Sequence, residues 1–114
     1  MISLLVDECF ALDYLSILQV KKDKDSSNHG AWHECRSYLE SQLSNKLQDI
    51  LESKEYADLY DANLKTFEAV GKARSGKEIT AKEVDDCNML RYYSKVAIQS
   101  KFFSGSTMRE VKLS

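Results

Sequence analysis

Residues Thr80–Phe103, TAKEVDDCNMLRYYSKVAIQSKFF, decide the reading of this chain because they spell out a complete helix. Thr80 and Glu83 make a T-A-K-E capping box, in which a hydroxyl and a carboxylate satisfy backbone amides that a helix start leaves without acceptors. Glu83, Asp85 and Asp86 crowd the first turns and Arg91, Lys95 and Lys101 follow, the charge order that the helix dipole favours. Proline is absent throughout and glycine stands only at 30, 71, 76 and 105, so helices meet few breakers and strands find few tight turns. The expected architecture is all-α, a bundle of three to four helices forming one domain over residues 1–114.

Working back from that helix, Ala73–Ile79 holds R-S-G-K-E and reads as the turn that leads into it. Tyr56, Leu59, Tyr60, Leu64, Phe67 and Val70 give an apolar face before the turn, and Trp32, Cys35, Leu39, Leu43, Leu47 and Ile50 mark an amphipathic helix from Ala31. No glycine separates the two segments. One long helix or two divided near Ser53, with Ser53 as N-cap, are both compatible with the pattern. Lys21–Gly30 is a polar connector. Before it, Ile2–Lys22 is a helix with apolar residues almost all round, only Ser3, Asp7, Tyr14 and Lys21 making a wet stripe. Such a helix must be covered from several directions, as the centre of a bundle or as part of a subunit interface. After Phe103, residues 104–114 read as a short extended arm or a frayed tail.

A chain of 114 residues with 43% hydrophobic and 30% charged residues has the composition of a soluble globular domain with one modest core. Its net charge of -2 and lack of a long basic run argue against non-specific nucleic-acid binding, which needs a basic face to displace counterions. Ile2–Val20 is apolar enough to raise a membrane span, but Asp7, Glu8 and Asp13 interrupt it and would be costly in lipid. A cytoplasmic location is expected. Cys9, Cys35 and Cys87 are odd in number, contain no CxxC pair and sit in different expected helices, which fits small buried hydrophobes in a reducing compartment.

Three short patterns carry a resemblance. Asp13-Tyr14-Leu15-Ser16-Ile17-Leu18-Gln19-Val20-Lys21 looks like D-x-L-T-I-L-x-I-K, and Leu59–Phe67 with Asn63 at its centre looks like L-x-x-x-N-x-x-x-W/F. Asn88-Met89-Leu90-Arg91 with Lys95 and Ile98-Gln99 looks like N-D-x-R-x-x-x-K-x-x-I-N, with Met89 in place of an acid and Gln99 in place of asparagine. The set resembles a small helical family of unknown function, some of whose members are encoded beside glycosyltransferases. The resemblance implies a helical fold and singles out these polar residues. It implies no chemistry.

The same residues attract attention on physical grounds. Asp13 is flanked at helical spacing by Cys9, Phe10, Ile17 and Val20, so its carboxylate is expected to face protein, where it needs a cation or several donors. Asn88, Arg91, Lys95 and Gln99 fall on one stripe of the last helix. Arg91 or Lys95 can supply the charge and Asn63 or Asn88 the hydrogen bonds. The result is either an internal network that sets helix register or an interhelical pocket for an anionic or nucleotide-sugar-like small molecule. Glu52-x-x-Glu55 and Glu83-x-x-Asp86 superficially resemble the E-x-x-E…E-x-x-D acids with which all-α nucleotide pyrophosphohydrolases hold magnesium, provided all four converge. His29, His33, Glu34 and Cys35 have chelating spacing only if they share a helix, and Gly30 places His29 outside it. No phosphate loop, nucleophile elbow or catalytic triad is present in the sequence.

The leading expectation is a non-enzymatic association module, a homo-oligomer with the first helix at or near the interface and no cofactor. The alternative is a small-ligand binder using Asp13, Asn63, Asn88, Arg91 and Lys95. The magnesium-dependent hydrolase is the third reading.

Overall fold

Five α-helices build the molecule in the computed structural model, which describes residues 5–103: α1 (Glu8–Lys24), α2 (His29–Leu43), α3 (Asn45–Leu51), α4 (Lys54–Arg74) and α5 (Ala81–Phe102). A single 3-10 turn at Ser26–Asn28 links the first two, and no strand occurs among the described residues. The expected all-α class holds, with the middle segment divided more finely than the pattern foretold. The expected tail at 104–114 and the expected first turn at Ile2–Leu4 lie outside the described residues.

The last helix begins and ends where its chemistry says it should. Thr80 Oγ1 accepts the Glu83 amide at 3.1 Å, and Lys46 Nζ donates to the Phe102 carbonyl at 2.9 Å, so both ends of α5 are satisfied from side chains. Ser53 is the N-cap of α4, its Oγ accepting the Tyr56 amide at 3.2 Å. The turn at 75–80 starts as a Schellman motif, with Gly76 at φ 81, its amide donating to Ala73 O and that of Lys77 to Lys72 O. A left-handed residue is required there, and glycine supplies it without strain.

Three boundaries differ from expectation. The first helix starts at Glu8 and not Ile2, because Leu5 is fully exposed and contributes no packing to hold an earlier turn. The second starts at His29, inside the expected connector: Asp25 Oδ1 accepts the Ser27 amide at 3.0 Å, and the tight turn so formed feeds directly into α2 with Gly30 in its first turn. The third is a break at Ser44, φ 52 and ψ -131, which separates α2 from α3. A straight helix over 31–50 would be about 30 Å long and would overrun the core; the break lets Leu39, Leu47 and Ile50 bury their side chains in one cluster.

That cluster, Leu12, Leu15, Leu39, Leu47, Ile50, Tyr56, Leu59 and Ile98, is the core. α1 packs on α2, α4 and α5. Its Cys9, Leu12, Leu15, Leu18 and Val20 are buried by the chain itself, Phe10, Ala11 and Ile17 are half-buried, and Tyr14 is exposed, as are Leu5 and Val6 just before the helix. α4 and α5 form an antiparallel hairpin, Glu55 meeting Lys101 at one end while Val70 and Val84 share a groove at the other. Every buried residue of α4 lies in its first half, Tyr56 to Asn63, and every one of α5 in its second half, Ser94 to Gln99. The hairpin therefore reaches beyond the core. No helix among the described residues is long and apolar enough to cross a membrane.

Candidate functional site

Asp13 stands on the α1 face that meets both α4 and α5, where only 6% of it is exposed. A carboxylate this far from water is stable only with charge and hydrogen bonds around it. Asn63 of α4 donates from Nδ2 to Asp13 Oδ1 at 2.9 Å and to Ser16 Oγ at 3.1 Å. Arg91 of α5 donates from Nη2 to Asp13 Oδ2 at 3.1 Å, and Lys95 Nζ lies 4.0 Å from the same oxygen and 4.7 Å from the Phe10 ring centroid. One carboxylate thus ties three helices together. Four of the five residues singled out from sequence, Asp13, Asn63, Arg91 and Lys95, meet here. Asn88 does not: it is exposed one turn before Arg91 and lines a groove nearer the hairpin tip.

One turn farther along the same stripe of α5, Gln99 caps the start of α1. Its Oε1 accepts the Cys9 amide at 3.1 Å and its Nε2 donates to Glu8 Oε2 at 3.0 Å. An amide from the end of the fold thereby satisfies a donor that the first turn of a helix cannot satisfy itself. Ser16 and Glu8 were not chosen from sequence as site residues; the signal for Ser16 was its place one helical turn from Asp13 among leucines. Together these residues form a polar seam from Glu8 to Ser16. The seam is closely packed, with the side chains of Arg91 and Lys95 25% and 12% exposed. It holds the cations of Arg91 and Lys95 and the carboxylates of Asp13 and Glu8, and the buried Arg91 Nε has no hydrogen-bond acceptor among the described residues. Next to it the Cys9 thiol is pushed up to about 11, first by burial and then by the nearby Asp7 carboxylate.

The acids of the hydrolase reading do not converge. Glu55 pairs with Lys101 at 2.6 Å, which holds its carboxyl below the usual range, whereas Glu83 and Asp86 begin α5 at the other end of the hairpin. The 18 steps along α5 from Glu83 to Lys101 place the two groups about 27 Å apart at about 1.5 Å per residue. Such a gap is far too wide for shared magnesium ions. His29 is inside α2, contrary to expectation, and its ring stacks near that of His33 with centroids 6.1 Å apart. Even so, no group of three or more histidine, cysteine or acidic side chains among the described residues is placed to hold a metal ion.

A wide concavity lies elsewhere, between the outer halves of α4 and α5. It has a volume of about 620 Å³ and an apolar lining that includes Val70, Ala73, Ile79, Val84 and Cys87, with Arg74 and Asn88 at its edges. No family model matches the chain, and no curated protein or solved structure matches it.

Proposed function

We propose that this protein is a non-enzymatic association module, a cytoplasmic helical domain that works as a homo-oligomer. The observation that carries the reading is the outer part of the α4–α5 hairpin. From residue 64 to residue 93 no side chain is buried, although Phe67, Val70, Val84, Met89, Leu90, Tyr92 and Tyr93 lie there, each between 41% and 60% exposed. Two helices alone cannot bury such residues, and isolated helices draw little stability from propensity. A covering surface is needed, and the chain's own α1, α2 and α3 are committed to the core. Sedimentation equilibrium on the full chain tests the proposal: association in the micromolar range is expected, and a monomer at every concentration would overturn it.

A second reading is favoured by the seam. The buried Arg91 Nε without an acceptor suits a carboxylate or phosphate entering beside Arg91. The family resemblance joins this proposal, since residues from all three motifs meet at the seam. Inorganic phosphate and nucleotide sugars should then raise the melting temperature of the parent chain and not of Arg91→Ala. No shift with any of them would remove this reading and leave the association reading untouched.

A further inference from the structure

We propose that the corner between α1 and α2 holds a small oxyanion, a phosphate or carboxylate group, on Trp32, Arg36 and Lys22. Three buried side-chain nitrogens have no hydrogen-bond acceptor among the described residues, and two of them, Trp32 Nε1 and Arg36 Nε, stand one turn apart on α2. A buried donor without an acceptor is costly, and two so close together point to one acceptor group that serves both. The corner that presents them is well built. Asn28 Nδ2 donates to the Lys21 and Asp25 carbonyls at 3.3 and 3.2 Å, which fixes the end of α1 against the start of α2. Lys22 Nζ lies 4.0 Å from the centroid of the Trp32 ring, the Arg36 guanidinium carbon 5.6 Å from it, and the His29 ring also 5.6 Å away.

The donors choose the class of ligand. An indole N–H, a guanidinium and an ammonium can only donate, so the occupant has to offer acceptors and needs no donor of its own. An oxyanion does this and is also attracted by the charges of Lys22 and Arg36, which repel a metal cation. Both cations are loosely held. Arg36 has no ion pair among the described residues and reaches Gln48 Oε1 only at 3.5 Å. Lys22 has Asp23 Oδ1 at 3.7 Å, and the other oxygen of that carboxylate accepts the Tyr60 hydroxyl at 2.7 Å. Charge-assisted hydrogen bonds are shorter than either cation makes here, about 2.7 to 2.9 Å. Turning the two long side chains toward an oxyanion at the indole edge shortens their contacts and gives Trp32 Nε1 and Arg36 Nε their acceptor. The seam around Asp13 is a separate place, with its cations on α5.

Trp32 is the one tryptophan of the chain, so its fluorescence reports on this corner directly. The test is titration of the full chain with inorganic phosphate, and separately with succinate, at constant ionic strength. A saturable change in Trp32 emission is expected with at least one of them, and the tighter of the two identifies the group as phosphate or carboxylate. Arg36→Gln and Lys22→Gln should each weaken binding at least about tenfold while far-UV circular dichroism stays unchanged. Arg91→Gln should leave it as it is. Should Arg36→Gln unfold, Lys22→Gln decides alone, because that side chain lies at the surface end of α1. Absence of a saturable change with either anion at millimolar concentration overturns the site. So does a change that persists undiminished in the glutamine variants of Lys22 and Arg36, which marks an adventitious ion only. A change that folded Arg91→Gln abolishes assigns the anion to the seam and overturns the corner as well. None of these outcomes bears on association, which sedimentation reads independently.

Discussion

Asp13 shows most directly what one residue decides here. Its two oxygens are shared between Asn63 and Arg91, with Lys95 close by, so removing it strands two cations and an amide at the junction of three helices. Asp13→Ala should cost about 3 to 5 kcal/mol, the range for breaking a buried pair, as read from urea denaturation. Arg91 is a quarter exposed, so its own truncation should cost less. The double variant should recover part of the sum, with a coupling of about 0.5 to 3 kcal/mol. Additive losses would mean that the two side chains act independently. Cys9 gives a second residue-level expectation. Its pKa is raised by burial to about 11, so the thiol stays neutral in the native state at pH values where an unfolded chain already forms thiolate. The sign follows: this contribution to stability is complete below about pH 9 and is lost as pH rises toward 11. At mildly alkaline pH iodoacetamide should spare Cys9 in the folded protein and react first with the partly exposed Cys87, as followed by mass spectrometry.

Among the elements, caps and breaks do more than propensity. Thr80→Ala removes the acceptor of the Glu83 amide and should lower stability by about 1 kcal/mol; Ser53→Ala should do the same at the start of α4. An unchanged urea midpoint would place the helix start elsewhere. Ser44 is the opposite case. It holds φ 52 and ψ -131, a conformation that glycine adopts freely and serine does not, in order to turn α3 back onto the core. Ser44→Gly should therefore raise the unfolding midpoint, by about 1 kcal/mol or a little more in stability. Destabilisation by the glycine would show that the backbone at this position is not strained.

At the scale of the whole molecule, stability is concentrated at one end. The molecule measures 43 × 32 × 30 Å, with the core where α1, α2 and α3 meet the start of α4 and the end of α5. Leu12→Ala should cost about 2 to 5 kcal/mol because it opens a cavity at a fully buried site, whereas Val84→Ala in the half-exposed groove should stay within about 0.5 kcal/mol for the monomer. Amide exchange should follow the same gradient along α5, slow from Ser94 to Gln99 and fast from Val84 to Leu90 in dilute protein. If the hairpin tips pair, protection at Val84–Leu90 should grow with protein concentration while protection at Ile98 stays constant.

The all-α class, the Thr80 and Ser53 caps, the turn around Gly76 and the need of Asp13 for cationic partners were legible in the sequence, because each follows from interactions within a few residues or from the cost of burying one charge. Where α2 ends was not legible: Trp32, Cys35, Leu39, Leu43, Leu47 and Ile50 keep one helical stripe, and only the limited size of the core forces the break at Ser44. Nor did the apolar surface of α1 announce its own covering. A pattern of apolar residues states that a face must be buried and does not name the surface that buries it; that depends on how far the other helices reach. Only the tertiary structure decided that Cys9, Leu12, Leu15, Leu18 and Val20 of α1 are buried by its own chain, that Gln99 caps it from α5, that Asn88 parts company with Arg91, and that no residue of the outer half of the α4–α5 hairpin is buried.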